Sequence, residues 1–570
     1  MNRISLHVTG SLVALALIIA CQGSIDDPGA PSRGSVGGGA SGPEPSGPTP
    51  GPTDDELREK DPELFEVALR YFPGQAAAPG KQRLFRLTRT QLDLTTQSLL
   101  PAAYAASQNA AALLPRDPLQ TNYEYAENLS IGPASFTPLT QLVRQLANAV
   151  EASPASVLDC ADAAEPPSCV EQATRAFVSR AFRGVVSEAT LARYAAHTKK
   201  SATELGLAKT AADLVQLTLA SPGYVFREEV RTATGGRLLP AQLLQNLSYT
   251  LADAPPEALG LTANGTPSEG DVAATVRKIL EKPAARAKLL RFFTAWLEVK
   301  EPAELDISRT VFPELTDEVA AAIVEDTRAF LEQQLASAAP VLGDVTEANE
   351  LLVSDASAFL YGLEPSGGRR ATLDPTQRLG IFTQPAVLAS HSGPTTTRLV
   401  KRGVFFTRKV MCLPLGQPPP DADTSPNETT SGSERQHIEG VTAEPRCAAC
   451  HAFINPFGFM QESYDAIGRY RERDGDVPVD PSVSVSFLDE GPFSAATSVE
   501  ALRGFTRSLR FQQCFTRQLF RFYSGRDETA DDDPLLRQLF FDFVKNQRDI
   551  VGLLRGLAEA PLFSARKETP

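Results

Sequence analysis

A chain of 570 residues with 42% hydrophobic and 22% charged side chains, one Trp and a mean hydropathy of -0.16 is long enough for several cores and three or four domains. This composition excludes disorder throughout, a collagen-like fibre and a polytopic membrane protein. Lys and Arg number 55 against 69 Asp and Glu, and the net charge of -14 argues against a general affinity for nucleic acid or anionic lipid.

The N-terminus places Arg3 before an apolar run from Leu12 to Ala20 and then Cys21. A short charged region, an apolar core too short to span a bilayer and a small residue at the cut read as a signal peptide over residues 1–20. The cysteine after the cut resembles the lipobox of bacterial lipoproteins, which implies a lipid-modified Cys21; the alternative is an ordinary signal that happens to end beside a cysteine. Gln22 after that cysteine favours the outer membrane, facing the periplasm or the cell surface. Residues 21–58 then form a linker, with Gly23 to Thr53 too rich in Gly, Pro and Ser to bury a core.

Beyond residue 60 the apolar period is helical. Thr88 with Gln91 reads as a capping box for a helix to about Leu100. Val170, Ala173, Phe177, Val178, Ala181 and Phe182 mark a second helix. Leu535, Leu536, Leu539, Phe540, Phe543 and Val544 mark another, with Asp533 as N-cap and Pro534 at its first position. Strand alternation is confined to Val477, Val479, Val483, Val485 and Phe487, which suggest a short hairpin arm broken at Pro481. The expectation is an all-α protein. Pro/Gly clusters divide it into helical domains at 59–150, 151–232 and 233–365, a unit at 366–490 and C-terminal helices at 491–570. The polar, Pro-rich segment from Leu413 to Ser433 reads as a surface insertion or a lid.

Cys447-Ala448-Ala449-Cys450-His451 is the C-x-x-C-H pattern of c-type haem attachment. On a helix, residues i and i+3 face the same way, so two thiols can add to two vinyl groups while the next residue offers an imidazole to the iron. With seven Cys and five His, chance yields such a match about once in a thousand such chains. A structural zinc site, a thioredoxin-like redox pair and a simple Cys447–Cys450 disulfide are the competing readings. Setting aside Cys21 and the two haem thiols leaves Cys160, Cys169, Cys412 and Cys514. In an oxidising compartment these pair as Cys160–Cys169 and Cys412–Cys514.

INPFGF at Ile454 to Phe459, followed by ESYDAIGRYRERDGDVPVD, resembles a family of large exported bacterial proteins built from serial domains of unknown function around one c-type haem motif. LTRTQLDLTTQSLL, FFTAWLEV, RLVKRGVFFTRKVMCLPLGQPPP and FQQCFTRQLFRFYSGR extend the likeness along the body. The resemblance implies a cytochrome c-like unit with covalent haem c on Cys447, Cys450 and His451, and it supplies no substrate.

For the sixth iron ligand the candidates are Met460, nine residues past His451 beyond an expected turn at Pro456/Gly458, and His437, ten residues before Cys447. Each has a plainer reading, as a core residue and a loop residue respectively. His391 either lines a haem edge or makes a turn, and an open sixth position is a further alternative. Arg469, Tyr470 and Arg471 belong to a surface face or hold a propionate. The acidic run from Asp527 to Asp533 reads as a solvated helix start, with cation binding as the lesser option. Trp296 reads as a core anchor. No nucleophile elbow, P-loop, dinucleotide fingerprint or zincin motif is present. The expected function is electron transfer with a partner protein. The alternatives are a haem-dependent oxidative enzyme acting on a small-molecule substrate, or a surface-binding module with structural haem; contact with membrane is through lipid only.

Overall fold

Short polar residues start many of the helices, among them Thr88, Ser187, Thr316, Ser433, Thr497 and Ser508. In the computed structural model, residues 52–566 are described except 76–81, 108–112, 121–122, 125–128, 162–165, 231, 234–235, 262–271 and 419–431. The signal segment, Cys21 and nearly all of the Gly/Pro/Ser-rich stretch lie outside the described residues, as does most of the loop from 413 to 433. Thr53 closes a capping box with Glu56 on α1 (Asp54–Lys60), and the Asp61 carboxylate accepts from the Leu64 amide at 3.0 Å to open α2 (Pro62–Tyr71). A strand β1 (Arg83–Arg86) leads to α3 (Arg89–Leu99), which opens with the expected Thr88/Gln91 box.

Two principal cores follow. The first gathers α3 with α4 (Pro133–Ala152), α5 (Pro166–Ala181), α6 (Glu188–Leu205) and α7 (Leu207–Leu219) around Leu146, Val178, Leu214 and Val215. Val170, Phe177, Val178, Ala181 and Phe182 are buried, as their spacing predicts. The strand β2 (Phe226–Glu229) then pairs antiparallel with β1.

The second core is built from α8 (Pro240–Ala252), α9 (Val272–Leu280), α10 (Pro283–Trp296) and α11 (Asp317–Gln334). It continues in α12 (Leu399–Phe405), then, past α13 (Glu434–Val441), in α14 (Pro445–Phe459), α15 (Ser498–Arg507), α16 (Leu509–Ser524), α17 (Asp533–Lys545) and α18 (Ile550–Glu559); α13 itself packs Ile438 in a small separate cluster with Leu399 and Phe459. Leu57, Phe65 and Phe72 of the N-terminal helices join this core beside Phe540. Arg537, fully buried on α17, fixes that closure by donating to Asp54 at 2.9 and 2.7 Å and to the carbonyls of Phe72 and Gly74. Trp296 is the core anchor its composition suggests: it is fully buried, stacks on Phe292 and donates Nε1–H to the Lys409 carbonyl at 2.8 Å.

The fold is all-α, with β structure limited to two-stranded pieces. Four local expectations are corrected. Val477 and Val483 do not share one arm: Val477–Pro478 pairs back on Arg473–Asp474, while β3 (Val483–Val485) pairs with β4 (Phe493–Ala495). Pro481, which lacks an N–H, separates the two hairpins. The helix α17 includes Asp533 in its first turn with Asp532 as N-cap, and the Asp533 carboxylate accepts from the Gly74 amide at 2.8 Å. The acidic run is not solvated throughout, since Glu528 pairs with Arg517 and Arg521 and Asp532 with Arg526 at 2.8 Å or less. No turn forms at Pro456/Gly458, because α14 continues through both residues to Phe459. No described helix is long and apolar enough to cross a membrane.

Candidate functional site

The motif occupies the first turns of α14, where Pro445 sits at the helix start. Cys447 and Cys450 are half-buried and unpaired, while the other four described cysteines are bonded as Cys160–Cys169 and Cys412–Cys514, the expected pairing. On a helix turning about 100° per residue, the thiols lie on one flank and His451 stands beside Cys447.

His451 is held by a relay. Its Nδ1 lies 2.7 Å from Asn455 Oδ1, one turn on; Asn455 Nδ2 donates to Thr442 Oγ1 at 3.1 Å, and Thr442 Oγ1 donates to the Ile438 carbonyl at 2.7 Å. With Nδ1 donating to an amide oxygen, the neutral ring presents Nε2 as the lone-pair nitrogen, the arrangement that suits a metal ligand.

His451 borders a groove of about 1200 Å³ between α14, α13 and the β3/β4 hairpin. Phe453, Phe459, Val485 and Phe487 supply apolar wall, and Ala448 and Ala452 keep the helix face low. The cysteines lie on the adjoining flank of α14 and do not line the groove, so His451 marks the boundary between thiols and cavity. Arg435 is the groove's cation. It packs over the Phe459 ring at 4.6 Å and donates to Glu439 at 2.9 Å and to the Ser482 carbonyl at 2.8 Å.

Glycine lets α14 come close to its support. A Cβ on Gly458 would lie 2.4 Å from the Leu399 carbonyl oxygen, and one on Gly403 would lie 2.3 Å from that of Ile454. The paired close approaches run α12 antiparallel to α14 with backbones touching. A π-helical turn, Phe406–Val410, follows α12, and Thr407 Oγ1 donates to the Gly403 carbonyl at 2.7 Å. The segment after α14 is gripped by the fully buried Arg402, which donates to the carbonyls of Gln461, Tyr464 and Asp465 at 3.2, 2.8 and 2.7 Å. Burial pulls its guanidinium down to about 9, a cost that these carbonyls offset as acceptors.

The other predicted ligands stand elsewhere. Met460 is fully buried in the second core and does not line the groove. His437 lies on α13 two residues from Arg435, off the face that Arg435, Glu439 and Thr442 turn to the groove, with its Nε2 buried and without a partner among the described residues. His391 is buried against Phe405 at 3.8 Å with Nε2 2.9 Å from the Leu297 carbonyl oxygen. Arg469 pairs with Asp465 and Glu314 at 3.0 Å, and Arg471 with Asp474 at 2.5 Å. Neither lines the groove. A further imidazole, His197, for which no role was expected, pairs with Asp213 at 2.7 Å on the surface. Sequence reasoning assigned no role to Asn455, although its i+4 spacing from His451 places it on the same helix face. It also missed Arg435, whose helix is announced by the Ser433/Gln436 capping box.

The described residues contain no group of three or more His, Cys, Asp or Glu able to hold a metal ion, so the thiols and imidazole lack the four-ligand set a structural zinc takes. Two thiols at i and i+3 with an oriented imidazole fit covalent haem in their donor chemistry. Among curated proteins and solved structures, nothing matches the chain. Residues 238–363 match the family PSD4, described as a protein of unknown function (DUF1592). Residues 378–474, which include Cys447, Cys450 and His451, match PSCyt3, described as a protein of unknown function (DUF1588). The chain therefore carries serial domains of unknown function, the later one containing the thiol pair and the oriented histidine.

Proposed function

We propose that the protein is an exported, lipid-anchored electron carrier of c-type cytochrome character, with one haem joined to Cys447 and Cys450 and its iron held by His451. The observation that carries this reading is the unpaired thiol couple beside an imidazole whose Nδ1 is committed to Asn455. Such a haem supplies a one-electron iron couple. His451 would hold the iron, and Asn455 and Thr442 hold His451. Within the match at 378–474, the label PSCyt3 agrees with a cytochrome through its name alone.

Met460 and His437 both stand away from the groove, which favours a second reading in which His451 alone would hold the iron from this chain and the protein would act as an oxidative enzyme on an exchangeable small molecule. Cys447→Ala with Cys450→Ala removes haem stain after denaturing electrophoresis, because thioether links survive detergent and an axial bond does not. A double variant that stains at full intensity overturns the haem assignment. Reduced spectra unchanged by carbon monoxide mark the six-coordinate carrier, and a shifted spectrum marks the open iron. For the anchor, Cys21→Ser releases the protein from the membrane fraction; retention after a high-salt wash overturns lipid attachment at Cys21.

A further inference from the structure

A second cavity lies where the two cores meet, away from the haem motif. It encloses about 370 Å³ and is lined from β1, β2, α3, α8, α10, α11 and α16. Its floor holds Arg227, Lys288, Asp253 and Tyr523, each less than 8% exposed. Phe85, Tyr249 and Phe522 give it apolar walls.

The charges around this floor do not balance. Among the described residues Glu229 is the one carboxylate within ion-pair reach of Arg83 at 2.8 Å, Arg227 at 3.4 Å and Arg566, and of these four only Arg227 lines the cavity. Asp253 serves both Lys288 at 2.7 Å and Arg291 at 2.8 Å. Five cations thus share two carboxylates. The mouth, with Arg116, Lys300 and Arg328 against Glu124 and Glu301, adds no negative excess.

Hydrogen bonding shows the same deficit. Neither Nε nor Nη1 of Arg227 has a hydrogen-bond partner among the described residues, since the Glu229 contact is an ion pair without donor alignment. The Arg227 guanidinium instead lies over the Phe85 ring, 5.0 Å from its centroid. The Tyr523 hydroxyl is likewise buried without a partner. Leaving such donors unpaired costs about 1–3 kcal/mol each, more for a charged group. Glu229 Oε1, 3.4 Å from Arg227 Nε, is itself buried without a hydrogen-bond partner, so the donors that lack an acceptor at this floor are Arg227 Nη1 and the Tyr523 hydroxyl.

We propose that the cleft binds a small organic carboxylate with an apolar body, the carboxylate accepting from Arg227 and Tyr523 and the body lying against Phe85, Tyr249 and Phe522. A guanidinium N–H beside a phenol O–H suits a carboxylate acceptor, and the aromatic walls give no reason to take a bare inorganic anion. The volume suits a small ligand. This site does not depend on the haem reading.

The test is calorimetric titration of the full-length protein with benzoate, hexanoate and inorganic phosphate. Binding of benzoate or hexanoate is expected, with phosphate weaker. Tyr523→Phe removes a hydroxyl that bonds nothing, so it keeps the melting temperature and loses about tenfold or more in affinity for the carboxylate. Arg227→Met loses at least as much; should it fail to fold, Tyr523→Phe decides the matter. Three results overturn the proposal: no heat from either carboxylate at about 10 mM, phosphate bound as tightly as benzoate, or unchanged affinity in Tyr523→Phe.

Discussion

His451 Nδ1 sits 2.7 Å from Asn455 Oδ1, one turn along the same helix. The contact fixes the ring and its tautomer without using a charged partner. Asn455→Leu removes it at similar volume and frees the ring to rotate. If the proposed haem is present, it would still attach through Cys447 and Cys450 in this variant, while the hold of His451 on the iron would weaken by about 10–100-fold. A proton would compete with that iron for Nε2, so the acid-induced change in the visible spectrum of the haem-loaded protein would move to higher pH by about one to two units. An unchanged acid transition in Asn455→Leu contradicts an orienting role for Asn455.

The helical class, the Thr88/Gln91 cap and both disulfides were legible because each is local chemistry or simple bookkeeping of cysteines. The motif helix was legible too. What escaped depends on contacts distant in sequence. Pro456 reads as a helix breaker, yet α14 passes through it, because packing against α12 outweighs one lost backbone bond. Asp527 to Asp533 reads as a solvated run because its partners Arg517, Arg521 and Gly74 are invisible to local patterning. Met460 follows the motif closely in sequence, but a helix without the expected turn delivers it to the core and not to the groove.

Gly458→Ala tests the contact between α12 and α14. Its Cβ would fall 2.4 Å from the Leu399 carbonyl oxygen, which is backbone and cannot swing aside. The helices must separate, at a cost of about 1–3 kcal/mol in denaturant unfolding. The opposite substitution on an open surface, Gly440→Ala, meets nothing within 4 Å and is expected to stabilise the exposed helix by up to about 1 kcal/mol. Equal effects of the two variants would remove the argument for close packing.

The Cys412–Cys514 bond closes 102 residues of sequence and ties the segment after the π-helical turn to α16. Replacing both cysteines by alanine costs about 2–5 kcal/mol, mainly by freeing the unfolded chain. The proposed haem attachment would persist in this variant, because neither thiol belongs to the motif. Measured unfolding within about 0.5 kcal/mol of the parent would show that α16 is held by its apolar face alone.

Acid stability divides into two windows. Burial pulls His391 down to about 3, helped by the nearby Lys401, Arg402 and Lys300 and opposed by the Leu297 carbonyl. The folded state keeps this ring neutral, whereas the unfolded chain protonates it near 6.5. Its contribution is therefore complete above about pH 6.5 and declines as the pH falls toward 3, by at most about 1.4 kcal/mol per pH unit. For Glu528, burial raises the carboxyl but the bonds and charges of Arg521 and Arg517 prevail and hold it at about 2. That contribution is present above the unfolded value of 4.5 and is lost between there and about pH 2. His391→Gln keeps a donor for Leu297 but cannot titrate, so it flattens the slope of unfolding free energy between about pH 6.5 and 4.5 and leaves the lower window intact. Glu528→Gln does the reverse. Denaturant titrations at a series of pH values separate the two, and a His391→Gln protein with the parent's slope above pH 4.5 would place the upper window on another group.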